Sequence, residues 1–140
     1  INANSINKYE FITESGQLKL DRVGYSSLAY PVAYGLIPKT WDQDNDLLDF
    51  VIANVTEPLV PGTLAEIRVI ADDKRMDHIK SYTDLGEHWQ KEVEHYFEFY
   101  KHLKKPGTCK PLGFFDKDEA IKIIKECQDR YEKDYAPKLD

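Results

Sequence analysis

The chain has 140 residues, a length that suits one domain with a real core, and its nine Tyr, six Phe and two Trp exclude disorder as the global state. A net charge of −6, from 25 acids against 19 Lys and Arg, argues against nucleic acid as the main partner, because duplex binding needs a basic footprint. Two cysteines, Cys109 and Cys127, make no disulfide framework and no apolar run approaches membrane-spanning length, so a cytoplasmic protein with no membrane partner is expected.

The first elements in chain order are strands. Lys8-Tyr9-Glu10-Phe11-Ile12-Thr13 alternates polar and apolar residues, as a half-buried strand does. Glu14-Ser15-Gly16 is a turn signal, and Gln17 to Val23 alternates again, so the two runs form a hairpin. Leu48 to Val55 is a longer apolar strand, Pro58 to Gly62 a turn, and Leu64 to Ile70 another strand. Short strands with turn punctuation point to a small barrel or sandwich. The last third is helical. From Glu87 to Leu103 the apolar residues Trp89, Val93, Tyr96, Phe97, Tyr100 and Leu103 make one stripe. A second helix begins near Asp116, which with Glu119 resembles a capping box. Ala120, Ile121, Ile124, Cys127 and Tyr131 form its buried face, and Pro137 ends it. Strands first and helices after give an α+β layout.

The sharpest chemical feature is the run Asp42-Gln43-Asp44-Asn45-Asp46-Leu47-Leu48-Asp49. Carboxylates this close repel one another unless a cation sits among them, and a hard ion such as Mg²⁺ takes oxygen ligands. A solvated acidic turn is the bland alternative. A calcium loop of the EF-hand type fails, since Leu47 and Ala53 stand where Gly and a bidentate Glu are required. Lys8, Arg22, Tyr30, Tyr34, Tyr100 and Lys101 supply cations and phenols suited to phosphate oxygens, though each alone is more often a surface charge or a half-buried ring. His88, His95 and His102 recur every seven residues, about 10.5 Å along a helix, too far apart to share an ion. Cys109 lies in the basic loop Lys104 to Lys110 with no general base nearby, so no nucleophile role is assigned to it.

In this company the chain resembles a family I soluble inorganic pyrophosphatase. The matching stretches are Asn7-Lys8-Tyr9-Glu10, Leu20-Asp21-Arg22, Tyr30-Pro31-Val32-Ala33-Tyr34-Gly35 and Asp44-Asn45-Asp46-Leu47-Leu48-Asp49. They continue with Pro61-Gly62-Thr63, Asp77-His78-Ile79-Lys80 and His95-Tyr96-Phe97-Glu98-Phe99-Tyr100-Lys101. They follow the family's order and cover nearly the whole chain. Around the acidic loop the family carries Asp, Gly, Asp, Pro, a variable residue and Asp; here Asn45 replaces the Gly and Leu47 the Pro.

The resemblance implies one pyrophosphatase-like domain over residues 1–140, built as a five-stranded OB-like β-barrel flanked by two main helices. It implies hydrolysis of pyrophosphate to two phosphates with Mg²⁺ as cofactor. Asp44 and Asp49 become metal ligands and Asp46 the base that takes a proton from the attacking water. Lys8, Arg22, Tyr34, Tyr100 and Lys101 bind the substrate, while Glu10 and Tyr30 line the pocket. A homo-oligomer follows, a hexamer favoured over a dimer. One departure is large: the family's metal-site hairpin is missing between Ile70 and Ala71, and the family's metal-site Glu precedes the position of Ile1, so the N-terminus reads as incomplete. A strand that ends without its pairing partner exposes an edge, so a hairpin absent from this sequence but carried by the protein is preferred over a true loss. The alternative is a catalytically inactive homologue with a phosphate-binding, metal-binding or assembly role.

Overall fold

A computed structural model describes residues 1–12, 15–53, 57–64 and 78–138. The expected break between Ile70 and Ala71, the strand Leu64 to Ile70 beyond its first residue, and the end of the strand Leu48 to Val55 lie outside those residues. The elements are β1 (Asn7–Ile12), β2 (Gln17–Val23), β3 (Ala33–Leu36), β4 (Asp49–Ile52), α1 (Glu87–Phe99) and α2 (Lys117–Arg130). The described strands form two two-stranded sheets, β1 with β2 and β3 with β4. The architecture is a small α+β fold.

The chain divides into two units. One comprises Ile1–Tyr34, Val51–Glu66 and Leu85–Gly113; the other comprises Gly35–Phe50, Ile67–Asp84 and Phe114–Asp140.

In the first unit the predicted hairpin forms. β1 and β2 are antiparallel, with Ile12 opposite Gln17, Tyr9 opposite Leu20 and Lys8 opposite Arg22. The register shifts between Lys8 and Tyr9, which leaves Asp21 as the extra residue of a bulge. The strands are less covered than alternation suggests, for Phe11, Leu18 and Leu20 are exposed. Helix α1 buries Val93 and Tyr96, the two positions a period of three to four residues puts at the centre of its stripe. Tyr96 packs on Tyr30 at 4.7 Å between ring centres and on Tyr100 at 5.3 Å. Such ring pairs contribute about 0.5–1.5 kcal/mol each beyond the area they bury. The helix ends at Phe99, not at Leu103, which is 70% exposed. Beyond it the chain tightens into turns in which His102 donates to the Phe99 carbonyl and Lys104 to that of Lys101, satisfying carbonyls that a helix end leaves open.

In the second unit Gly35 allows a close crossing: a Cβ there would sit 2.8 Å from the Phe50 ring on β4. Helix α2 buries Cys127 fully, with Ala120, Ile121, Ile124 and Tyr131 half-buried on the same face. The capping box does not form. Asp116 stands at the N-cap with no side-chain bond to the helix; instead its carboxylate accepts from the Ser81 hydroxyl at 2.6 Å. A partner distant in sequence outcompetes the local donor. Past Arg130 the chain continues through a wide turn, Tyr131–Tyr135, and a 3-10 turn, Ala136–Lys138, that contains Pro137.

Candidate functional site

In the first unit a cavity of about 350 Å³ opens between the hairpin, the segment after it and the end of α1. Five cations line it: Lys8, Arg22, Lys101, Lys104 and Lys105. No Asp or Glu is among its described lining residues. Tyr25, Tyr30, Tyr96 and Tyr100 supply phenols to the same wall.

The hairpin register explains the first two cations. Residues directly opposite on antiparallel strands share a face, so pairing Lys8 with Arg22 sends both into one space. Like charges so placed repel, and the bulge residue offsets that. The Asp21 carboxylate accepts from Arg22 Nη1 at 3.0 Å and lies 4.0 Å from Lys8 Nζ. Glu10 lies 3.3 Å from Lys8 Nζ; it supports a lining residue without itself lining the cavity.

The phenols are fixed from behind by the ring stack of Tyr30, Tyr96 and Tyr100. Burial pushes the Tyr30, Tyr96 and Tyr100 hydroxyls above their ordinary range, so they remain neutral donors at physiological pH. Lys101 Nζ lies 5.0 Å from the Tyr100 ring centre, and its bond to the Tyr100 hydroxyl raises its pKa. It therefore stays an ammonium. Tyr34 takes a different place. Its half-buried ring packs on Tyr30 at 5.2 Å and Phe97 at 6.2 Å, and it is not among the lining residues.

The aspartate run belongs to the second unit. Its loop closes on itself: Asp42 N donates to the Asp46 carbonyl at 2.8 Å and Asn45 N to the Asp42 carbonyl at 3.2 Å. Asn45 adopts φ 64°, a conformation Asn tolerates and the one a Gly favours, so the chain turns here without the expected Gly. Asp44 Oδ1 accepts from Asp46 N at 3.2 Å and Asp46 Oδ1 from Leu47 N at 2.8 Å. One oxygen of each carboxylate stays outside these bonds. Mg²⁺ retains water and is commonly held by one or two carboxylates plus substrate oxygens, so this donor set fits such an ion. Asp49, exposed, opens β4. Among the described residues no three acids, histidines or cysteines gather closely enough to hold an ion by themselves.

Two residues that sequence reasoning passed over anchor this loop. Thr40, fully buried, donates from Oγ1 to the Ile37 carbonyl at 2.6 Å and accepts from Leu48 N at 3.0 Å, so it ties both ends of the loop together. Arg130 of α2 donates from Nε to the Trp41 carbonyl at 2.9 Å and from Nη2 to Asp42 Oδ1 at 3.0 Å. Thr40→Val is expected to cost about 1–3 kcal/mol, because the Leu48 N–H loses its acceptor inside the fold. Urea unfolding measures it, and a variant as stable as the parent would show that the loop closes without this hydroxyl. Nothing in the local pattern marks a buried Thr. Lys104 and Lys105 did carry a signal, for they stand three and four residues beyond Lys101.

Comparison with known proteins agrees in every direction. The family model described as inorganic pyrophosphatase matches residues 1–72 and 67–132. The chain is 38% identical over 151 positions to an inorganic pyrophosphatase of Geobacillus stearothermophilus, covering 94% of this chain and 90% of that one. It is 36% identical over 146 positions to that of Thermus thermophilus, covering 89% and 83%. Among solved structures, the inorganic pyrophosphatase of Neisseria gonorrhoeae superposes with a TM-score of 0.85 at 34% identity, over 94% of this chain and 87% of that one.

Proposed function

This chain belongs to the inorganic pyrophosphatase family, and from that premise we propose that it hydrolyses pyrophosphate to two phosphates with the help of Mg²⁺. The observation that carries the reading is the cavity of five cations and four phenols with no described carboxylate in its wall. A condensed phosphate is the small ligand whose charge density such a wall fits.

Arg22 presents a planar fork to phosphoryl oxygens, and Lys8 and Lys101 act as point charges. Tyr100 donates a hydrogen bond, and Tyr30 shapes the wall. Together they hold the diphosphate and stabilise charge on the departing phosphate. Tyr34, whose ring packs on Tyr30, is assigned to the substrate as well, and Glu10 belongs to the pocket's edge, where it and Asp21 face the Lys8 ammonium. Asp44 and Asp49 are the residues assigned to the metal, and Asp46 takes the proton from the attacking water. Magnesium held there supplies a water of lowered pKa.

The reading extends to the whole chain as one domain, with the two described sheets belonging to a five-stranded OB-like barrel; the likeness to the Neisseria structure supports it. A cytoplasmic homo-oligomer, a hexamer before a dimer, without nucleic-acid or membrane partners, completes it. No helix among the described residues is long and apolar enough to cross a membrane.

One observation favours a second reading. The alignment to the Geobacillus relative runs over 151 positions although this chain has 140, and the family model matches in two stretches that overlap at 67–72. The first supports residues that the relative has and this sequence lacks, and the second supports their place near residue 70, where the resemblance puts a hairpin with further acids. A homologue that binds phosphates without cleaving them would follow. The test is phosphate release from pyrophosphate by the purified chain across a Mg²⁺ titration. Release that stops with a chelator and returns with Mg²⁺ is expected. Tight pyrophosphate binding without release at any Mg²⁺ concentration would replace the enzyme by the binding protein.

A further inference from the structure

Asp42 opens the aspartate run, yet its carboxylate is committed to helix α2. Arg130 Nη2 donates to Asp42 Oδ1 at 3.0 Å, and the Gln43 N–H donates to the same oxygen at 2.8 Å. The guanidinium is fixed from several sides. Its Nε donates to the Trp41 carbonyl at 2.9 Å, and Nη2 also lies 3.0 Å from Sγ of the fully buried Cys127. Trp41 N donates to the Cys127 carbonyl at 2.9 Å, and the Trp41 ring stacks on Tyr135 at 4.2 Å between centres. The end of α2 thus grips the chain just before the acidic loop and aims one cation at one carboxylate. The rigid fork of an arginine serves the carbonyl and the carboxylate together.

The backbone returns Asp42 to the rest of the loop. Its N–H bonds the Asp46 carbonyl, so residue 42 stands where the turn closes. Asp42, Asp44 and Asp46 also have the spacing of the first three ligands of a calcium loop. One more carboxylate does not serve the two ions equally. Ca²⁺ takes about six to eight oxygens in flexible geometry, whereas Mg²⁺ keeps much of its water and needs only one or two carboxylates. Selectivity is a difference of two affinities, and withdrawing a carboxylate takes more from Ca²⁺ than from Mg²⁺.

We propose that Arg130 sets the ion preference of the aspartate loop: by holding Asp42 it keeps that carboxylate from a divalent ion, and so favours Mg²⁺ over Ca²⁺. Arg130 is then a positioning residue that acts through Asp42. The proposal rests on the reading of Asp44 and Asp49 as metal ligands and adds to it the choice of ion.

Calorimetry of Mg²⁺ and Ca²⁺ binding to the full chain, without substrate, tests it. In Arg130→Gln the amide Nε2 stands at the same point along the side chain as the guanidinium Nε. The Trp41 carbonyl therefore keeps a donor while Asp42 loses its cation. The two paired side chains are 28% and 38% exposed, so the release is modest. The ratio of Ca²⁺ to Mg²⁺ affinity is expected to rise roughly fivefold. Arg130→Lys, which returns a cation, should bring the ratio most of the way back. Adding Asp42→Asn to Arg130→Gln should restore the parent's ratio, because the released carboxylate is gone. A merely structural role for Arg130 would weaken both ions alike and leave the ratio where it was. An unchanged ratio in Arg130→Gln, or a raised one that survives Asp42→Asn, overturns the proposal and leaves the metal loop standing. Asp42→Asn alone gives a second measure should Arg130→Gln misfold. With Arg130 in place that carboxylate is already withheld, so the ratio should hold, and a fall overturns the proposal. Binding of both ions unmoved by Asp44→Asn, or no binding of either to the parent, overturns the loop as the metal site and the proposal with it.

Discussion

Asp46→Asn is expected to lower pyrophosphate turnover roughly 10²–10⁴-fold, the range lost with a positioned general base. The change is close to isosteric. Asp46 Oδ1 accepts from Leu47 N at 2.8 Å, a bond an amide oxygen can also accept, and the Asp42 N bond goes to the Asp46 backbone carbonyl. The loop should therefore stay closed, and an unchanged circular dichroism spectrum and unfolding midpoint would confirm it. What the amide loses is the capacity to take a proton. Steady-state kinetics at saturating Mg²⁺ measure the effect. Turnover near that of the parent would remove Asp46 as the base, and the proton would then pass to bulk water or to another carboxylate.

Arg22→Gln is the second large effect, with kcat/KM expected to fall roughly 10²–10³-fold, as when one preorganised electrostatic donor is removed. Arg22→Lys should restore only part of the loss. A lysine returns the charge but not the fork that meets two phosphoryl oxygens together. Stability should move little. The ion pair to Asp21 involves side chains that are 35% and 26% exposed, and partly exposed pairs contribute at most about 1 kcal/mol. A normal kcat/KM in Arg22→Gln would place the substrate away from the hairpin. A kcat/KM loss accompanied by unfolding would mean that the pair with Asp21 holds the strands.

The hairpin was the most legible part of the fold because its signals are local. Alternation marks β1 and β2, Gly16 marks the turn, and a turn of given length sets the register that puts Lys8 opposite Arg22. The bulge at Asp21 was overlooked although it leaves a trace: one extra residue shifts the phase of the alternation, and Asp21 and Arg22 stand as two adjacent polar residues between Leu20 and Val23. Helix α1 was legible at its centre, in Val93 and Tyr96, and misjudged at its end, where Leu103 continues the apolar period but backbone turns from Lys101 take over. The capping box at Asp116 failed for a similar reason. The pattern is necessary for the cap, but a Ser81 hydroxyl supplied a competing donor.

By itself the sequence determined which chemistry the chain carries: the aspartate run, the cations in their order, the family they match, and the short-range elements that hold them. Only the tertiary structure decided that Lys104 meets Tyr25, that Tyr96 braces Tyr30 and Tyr100, and that Thr40 and Arg130 hold the ends of the acidic loop. The physical reason is range. Periodicity and turn chemistry act over a few residues, whereas these contacts join segments separated by up to 89 positions, where burial and hydrogen-bond competition across the whole unit choose the partner.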